Sequence, residues 1–397
     1  MHNLLLVSVF GRVNFDTNDR VNSLHDYLQF NVKIVTTDFS HRDKQYRAKN
    51  SVRNVDYLHV TPYKKNLSVN RILSHWTFAL RLLIYLIKNG KKHEIIYCIS
   101  PTPSSALICG IYKLITRHKC LAIDIIDIWP EGLIPLSKKY KWISPLFLPW
   151  KWISILAFKS ADVIIAATRS YQLLASQYNK HAFTDYYPLG IDPQKSHSLL
   201  NKSELKLVKD KNELWIAYAG NLGASYDFDS MISAISFVSM HVKGYRLKFI
   251  IVGGGDKKLE LENKLQETGI NYLITGNIEY KDYLCYLSQC DIGFNIFAET
   301  STVIQSYKFN DYIVSGLYVI NNLKGETAEL IDQFQVGENL SGQNQQLGEL
   351  LLNCIDNWNS IRSSQRDKCN KLINDVLSKE KIYNKLNSDL LKVIGNV

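Results

Sequence analysis

The sequence predicts an α/β protein built from two doubly wound parallel sheets that face each other across a cleft. Three observations carry that expectation. The chain has 397 residues, more than one hydrophobic core normally serves, so two domains are expected. Short apolar runs alternate with longer amphipathic stretches, the pattern of βα units on a parallel sheet. A polar segment, "IDPQKSHSLLNKSELKLVKDKNE" (191–213), breaks the alternation, which then restarts. These place one domain at 1–195, a second at 205–376 and a closing helix at 377–397.

In the first half, buried strands are expected at 4–10, 32–37, 94–100, 121–126 and 162–168. Helices are expected at 19–29, 71–89, 103–117, 150–159 and 169–178. In the second half, "LWIAYAG", "LKFIIVGGG", "NYLITG", "DIGFNIF" and "LYVINN" read as strands between 214 and 322. Helices fall between them at about 227–241, 256–267, 280–289 and 306–315, the spacing of βα units. Ligands of such sheets bind at the carboxyl ends of the strands, so those turns hold the candidate residues.

The composition, 46% apolar and 21% charged, is that of a folded chain. The formal charge of +10 implies an anionic partner: phosphates, nucleic acid or an acidic membrane surface. Its seven cysteines are odd in number and scattered without a C-x-x-C pair, so neither a disulfide framework nor a zinc site is indicated. "MHNLLLVSVFGR" lacks a basic leader and reads as a first strand, and no run of about 18 apolar residues suggests a span. The simplest location is the reducing cytoplasm.

Three turns after buried strands are rich in small residues. "AGNLGASYDFD" (219–229) places Gly220 and Gly223 where backbone N–H groups approach an anion at a helix start. "VGGGDKKLELENKL" (252–265) repeats the device with Gly253 and Gly254, and "TGNIEYKDYL" (275–284) is a third such turn. Ordinary tight turns use the same residues. Neither of the first two completes G-x-G-x-x-G, so a nicotinamide dinucleotide fingerprint is absent. A fourth element, "QSYKFNDYIVSG" (305–316), starts with a helix cap at Ser306 and puts Lys308 and Asp311 on one helix face. They fit either a phosphate and a ribose, or a surface ion pair. "DFD" (227–229) at a helix start reads as capping, so no metal site is expected.

In the first half, "DIWPEG" brings Asp127 and Glu131 to a strand end, suited to binding sugar hydroxyls or deprotonating an acceptor. Turn capping is the plain alternative. Gly11, Arg12 and Arg169 also follow strands and are candidate cleft residues.

The order of the four turns resembles the nucleotide-sugar domain of glycosyltransferases with the GT-B fold, most closely family 4. That family shows a strand-glycine turn, "VGxG", "TGxVxxxxLxxYLxxADxG" and a "PSKxxEYxAxG" helix. The match covers about 214–340, with looser likeness in "IDIIDIWPEGL" (123–133) and "SADVIIAATRSY" (160–171). The resemblance implies two Rossmann-like domains, Asp311 as the ribose-binding acid, and Ser306 and Lys308 beside the diphosphate. It implies that the backbone of Ile278 meets the base. Asn221 and Tyr226 fall where many members carry an arginine and a lysine. Val303 stands where the first acid of a Glu-x7-Glu pair is usual, and Glu299, Thr300, Ser301 and Thr302 in that loop are the candidates to replace it.

Two first-half stretches, 71–92 and 138–159, are basic, aromatic and free of acids. Trp142, Trp150, Lys151 and Trp152 suit an interfacial anchor, while packing on the sheet with solvated lysines is the alternative. No nucleic-acid motif accompanies them. The resemblance implies docking on the inner face of a bacterial plasma membrane and a polyprenyl-pyrophosphate-linked glycan acceptor. It further implies retained anomeric configuration, a UDP-sugar as the expected donor, no other cofactor, and a last helix that returns to the first domain. Closing of the cleft would exclude water from the donor. A nucleotide-sugar 2-epimerase and a non-catalytic partner of another glycosyltransferase remain open.

Overall fold

The structure, a computed structural model, describes residues 2–10, 19–41, 44–47, 54–65, 68–100, 102–118, 120–127, 148–301, 303, 305–340 and 346–395. The chain divides into two compact units, Met1–Leu189 with Lys379–Val397, and Gly190–Ser378.

The first unit begins β1 (Asn3–Val7), α1 (Arg20–Tyr27), β2 (Asn31–Thr37), the small hairpin β3 (Phe39–Ser40) and β4 (Gln45–Tyr46), and β5 (Val55–Leu58). It continues α2 (Val69–Asn89), β6 (Ile95–Ser100), α3 (Pro103–Thr116), β7 (Cys120–Ile125), α4 (Leu148–Ser160), β8 (Val163–Ala166), α5 (Arg169–Ser176) and β9 (Phe183–Tyr186). Seven strands form one parallel sheet in the order β5-β2-β1-β6-β7-β8-β9. The central runs "IIYCIS" and "CLAIDI" are buried at every residue, as strands covered on both faces must be. The edge strands β5 and β9 are short and mostly half-exposed, so they carry no continuous apolar run to betray them.

In the second unit α6 (Pro193–Leu200) precedes β10 (Glu213–Ala219), α7 (Phe228–His241), β11 (Arg246–Val252), α8 (Lys258–Thr268), β12 (Tyr272–Ile274) and α9 (Tyr280–Gln289). Then come β13 (Ile292–Asn295), α10 (Tyr307–Ser315), β14 (Tyr318–Asn321), α11 (Glu326–Phe334), β15 (Gly337–Asn339), α12 (Leu347–Asp356) and α13 (Trp358–Leu372). Six strands form a parallel sheet in the order β12-β11-β10-β13-β14-β15. The 191–213 segment, expected as a linker, is built into this unit. Asp192 caps α6, the Ile191 N–H donates to the Leu377 carbonyl at 2.7 Å, and the Ser203 hydroxyl donates to Asp282 at 2.7 Å.

The last helix, α14 (Lys379–Gly395), packs Ile382, Tyr383, Leu386 and Leu390 into the core of the first unit. Arg20 holds that corner. Its guanidinium donates to both oxygens of the buried Asp124 at 2.7 and 3.2 Å, and to the Tyr187 carbonyl and Tyr383 hydroxyl at 2.9 and 3.3 Å. Tyr97 completes the acid's shell at 2.7 Å. A buried ion pair is tolerable only when its remaining lone pairs and protons are bonded in this way. All seven cysteines are free thiols. Among the described residues no helix is long and apolar enough to cross a membrane.

Candidate functional site

In the second sheet, β11 and β12 extend from one side of β10 while β14 and β15 extend from the far side of β13. A reversal of strand order opens a crevice at the carboxyl ends of the two central strands. Here β10 and β13 pair only through Ile216 with Ile292 and Ala217 with Gly293. Beyond that point Tyr312 of α10 enters between them. Its hydroxyl accepts from the Ala219 N–H at 3.0 Å and donates to the Phe294 carbonyl at 3.1 Å, and its ring fills the space a Gly293 side chain would take.

Two glycine turns lie at this end of the sheet and are stitched to each other. The Gly220 N–H donates to Val252, the Leu222 N–H to Gly254 and the Lys257 N–H to Leu222, at 2.9, 3.0 and 3.1 Å. Gly253 has φ +151°, and a Cβ there would stand 1.9 Å from the Gly220 carbonyl oxygen. Only glycine lets the turns meet. The exposed Asn221, in the expected arginine place, seats its side chain against Gly223 and Gly255, and the Asn277 side chain lies against Gly254.

Lys308 reaches into this crevice from α10. It is 9% exposed, and its Nζ lies 4.1 Å from the ring centre of Tyr218, 3.7 Å from Tyr226 and 5.4 Å from Phe297. The Lys308 Cε and Nζ lie 3.6 and 3.7 Å from where a Gly220 Cβ would stand. Among the described residues Lys308 Nζ has no hydrogen-bond partner. Burial alone drives its pKa well below the ordinary lysine value. Gln305 Oε1 and Ser306 Oγ, at the start of the same helix, are likewise buried without a hydrogen-bond partner. Ser306 occupies the N-cap position, but its hydroxyl makes no capping bond. Native proteins leave few buried polar groups unsatisfied, and three together at a sheet's switch point call for a ligand.

The ion pair open to Lys308 and Asp311 on one helix face does not form. Lys308 enters the aromatic cage, while Asp311 turns to α9 and accepts from Tyr280 at 2.7 Å and Tyr283 at 3.0 Å. The two tyrosine rings stack, with centres 5.5 Å apart. This grip of two hydroxyl donors fixes the orientation of the acid. Ile278 is half-buried against the core beside α9. Tyr226, in the expected lysine place, bridges to Phe297, and the Ala298 N–H donates to Ser225 at 3.0 Å. These bonds fix the loop that carries the exposed Glu299 and Thr300 and the half-buried Ser301, whereas Thr302 lies outside the described residues. The "DFD" acids are engaged: Asp227 accepts from Ser230 as the cap of α7, and Asp229 pairs with Lys264 at 2.6 Å.

In the first unit Asp127 is exposed at the carboxyl end of β7, where its charge acts on Arg71 of α2. Arg169 begins α5, donates to the Tyr186 hydroxyl at 3.2 Å and lies over that ring. Gly11, Arg12, Glu131 and Trp142 lie outside the described residues. On α4 Trp150 is half-buried, while Lys151 and Trp152 are exposed. Exposed Leu73, Leu80, Ile84 and Ile87 run along α2, which neighbours α3 and through it α4.

Solved structures match this architecture along nearly the whole chain. The chain has the GT-B fold. HepE of Anabaena, crystallised with UDP and glucose, is 14% identical with a TM-score of 0.67, covering 99% of this chain and 100% of that one. Sucrose-phosphate synthase from Thermosynechococcus elongatus is 13% identical with a TM-score of 0.68 over the full length of both. WaaG, a glycosyltransferase involved in lipopolysaccharide biosynthesis, is 12% identical with a TM-score of 0.64, covering 97% and 98%. No family model matches the sequence, and no curated protein matches it. Within the GT-B frame, the residues that sequence reasoning passed over are the aromatic ones, Tyr218, Phe297, Tyr280 and Tyr283. Their signal was position: Tyr218 and Phe297 stand at the carboxyl ends of β10 and β13.

Proposed function

We propose that this chain is a glycosyltransferase whose second unit holds a nucleotide-sugar donor, with UDP as the nucleotide. The buried Lys308 ammonium, without a hydrogen-bond partner among the described residues at the switch point, is the observation that carries the reading. A diphosphate seated on the Gly220 and Gly253 turns would give that cation its counter-charge. It would also meet the N-terminus of α10, where the helix dipole favours anions. Asp311, aimed by its two tyrosines, takes the ribose hydroxyls, and the backbone of Ile278 the base. HepE binds UDP and glucose in a structure of the same fold, which supports UDP as the nucleotide.

In the reaction the acceptor oxygen bonds to the anomeric carbon as the bond from that carbon to the diphosphate breaks. The hydroxyl proton passes to the departing phosphate. Lys308 stabilises the negative charge that develops on the leaving group, the largest electrostatic task of the step. Configuration at the anomeric carbon is retained.

The finer reading is a lipid-linked glycan acceptor and a peripheral position on the inner membrane face. Its support is the exposed apolar stripe of α2, and Lys151 and Trp152 on α4. Apolar residues flanked by lysines suit an anionic lipid surface. Membranes incubated with the chain and labelled UDP-sugars test the whole proposal. Label should enter the lipid fraction from one donor, and no transfer or donor hydrolysis from any UDP-sugar would overturn it.

A further inference from the structure

Two adjacent asparagines at the end of β14 make the same contact with two different segments. The Asn321 amide accepts from the Leu323 N–H at 3.1 Å and donates to the Leu323 carbonyl at 2.8 Å. The Asn322 amide accepts from the Phe297 N–H at 2.8 Å and donates to the Phe297 carbonyl at 2.7 Å. A carboxamide can do both at once because it carries an acceptor and a donor side by side. Asn321 is fully buried, and its amide also accepts from Asn295 and donates to Asn339, each at 2.7 Å. That row fixes the turn after β14 and so aims Asn322.

What Asn322 grips is the wall of the Lys308 crevice. Strand pairing of β13 with β14 ends at Asn295 and Asn321. Beyond it, the Asn322 side chain bonds Phe297 as the backbone of a neighbouring strand would. On the opposite side the same stretch pairs antiparallel with the Tyr226 turn. There the Ala298 N–H donates to the Ser225 carbonyl at 3.0 Å, and the Asp227 N–H to the Ile296 carbonyl at 3.4 Å. The N–H and C=O of Phe297 itself point the other way, to Asn322, and losing that amide leaves both polar groups of a buried residue without their bonds. The Phe297 and Tyr226 rings lie 4.8 Å apart, and their centres stand 5.4 and 3.7 Å from Lys308 Nζ.

We propose that Asn322 is a positioning residue of the donor site: its amide holds the Phe297–Tyr226 wall against Lys308, and so maintains the dry setting in which that ammonium meets a diphosphate. The inference rests on the nucleotide-sugar reading. An ammonium shielded from water attracts phosphate more strongly than a solvated one. Burial is what lowers the Lys308 pKa. The titratable side chains that face Nζ are Tyr218 and Tyr226, whose own pKa values burial raises, so both stay neutral. Releasing Phe297 admits water to the ammonium and returns it towards ordinary lysine behaviour.

Two measurements on the full chain test the proposal, each on wild type, Asn322→Ala and Gly269→Ala. Competitive acetylation of the free protein across pH, read by mass spectrometry at Lys308, reports the titration of that amine without any ligand. Calorimetric titration with UDP reports the donor site. Asn322→Ala should move the Lys308 titration up towards 10.5 and weaken UDP binding roughly tenfold, the low end of what a hydrogen bond to a charged group contributes. Gly269→Ala strains the backbone at the end of α8, where a side chain meets open space, and should leave both readouts unmoved. Asn322→Ser, whose hydroxyl is too short to span both groups of Phe297, is the second variant should Asn322→Ala fail to fold. An unmoved Lys308 titration in the folded Asn322 variant, or an equal shift in Gly269→Ala, would overturn the proposal. So would a shifted titration with UDP affinity equal to wild type. Should UDP fail to bind even the wild type, the nucleotide reading fails, and the acetylation still decides whether Asn322 sets the wall around Lys308.

Discussion

Replacing Lys308 by methionine should raise the stability of the free protein and destroy its affinity for UDP. The two effects have opposite signs because one group causes both. In the free protein the Lys308 side chain is 9% exposed and, among the described residues, its Nζ is without a hydrogen-bond partner. Removing such a charge from water costs several kcal/mol, and its two close ring contacts return at most about 2 kcal/mol each. A methionine of similar length keeps the packing against Tyr218 and Tyr226 and carries no desolvation cost. The net gain is about 1–2 kcal/mol, which for a unit of this size is roughly 2–8 °C in melting temperature. On the ligand side, a hydrogen bond to a charged group contributes about 1.5–3 kcal/mol, so UDP should bind roughly 10–150-fold more weakly. Thermal melting and calorimetry of wild type and Lys308→Met read both quantities. The same titrations, run in two buffers, should show proton uptake in the wild type, because a bound diphosphate raises the pKa that burial lowers. Affinity then falls as pH rises through the lowered free-state value towards 10.5. A variant that melts lower and binds UDP as well as the wild type would refute the reasoning at both ends.

Gly253→Ala puts a methyl 1.9 Å from the Gly220 carbonyl at φ +151°, so it should cost at least about 1–3 kcal/mol in chemical denaturation and abolish UDP binding. Gly269→Ala, at φ +67° with open space around it, is the control for backbone strain alone and should leave UDP binding intact. Acid should destabilise the first unit through its neutral histidines. The unfolded chain takes up protons near pH 6.5, whereas folded His41 and His75 do so only at about 4 and about 3. Stability therefore falls as pH drops from 6.5 towards 4, by up to about 1.4 kcal/mol per pH unit per histidine, and His75→Gln should flatten that slope in pH-dependent melts. Replacing Trp150, Lys151 and Trp152 together should release the chain from anionic liposomes in sedimentation, with retention equal to wild type counting against the membrane face.

Much of the fold was legible because its central strands are buried on both faces. Continuous apolar runs such as those of β1, β6, β7 and β11 leave no other reading when helical patterns separate them. The edges were not legible: β5, β9 and β15 are short, half-exposed and mixed in character, because an edge strand has one open side. The 191–213 segment is polar for a reason composition does not reveal, since α6 lies on the surface and shows mainly Leu199 to the interior. At the site, the positions of the glycine turns and of α10 could be read from their order along the chain. What Lys308 and Asp311 do with their charges could not. A spacing of three put them on one face, yet the burial of one and the tyrosine partners of the other depend on β10, β13 and α9, which lie elsewhere in the sequence.

The central claim is that the crevice between β10 and β13 recognises a diphosphate. Calorimetric titration of the unmodified chain with UDP, UMP and uridine tests it most directly. The account predicts that affinity falls steeply from UDP to UMP and again to uridine, because Lys308 and the α10 N-terminus gain from each phosphate. Equal affinity for the three, or binding of none, would contradict it.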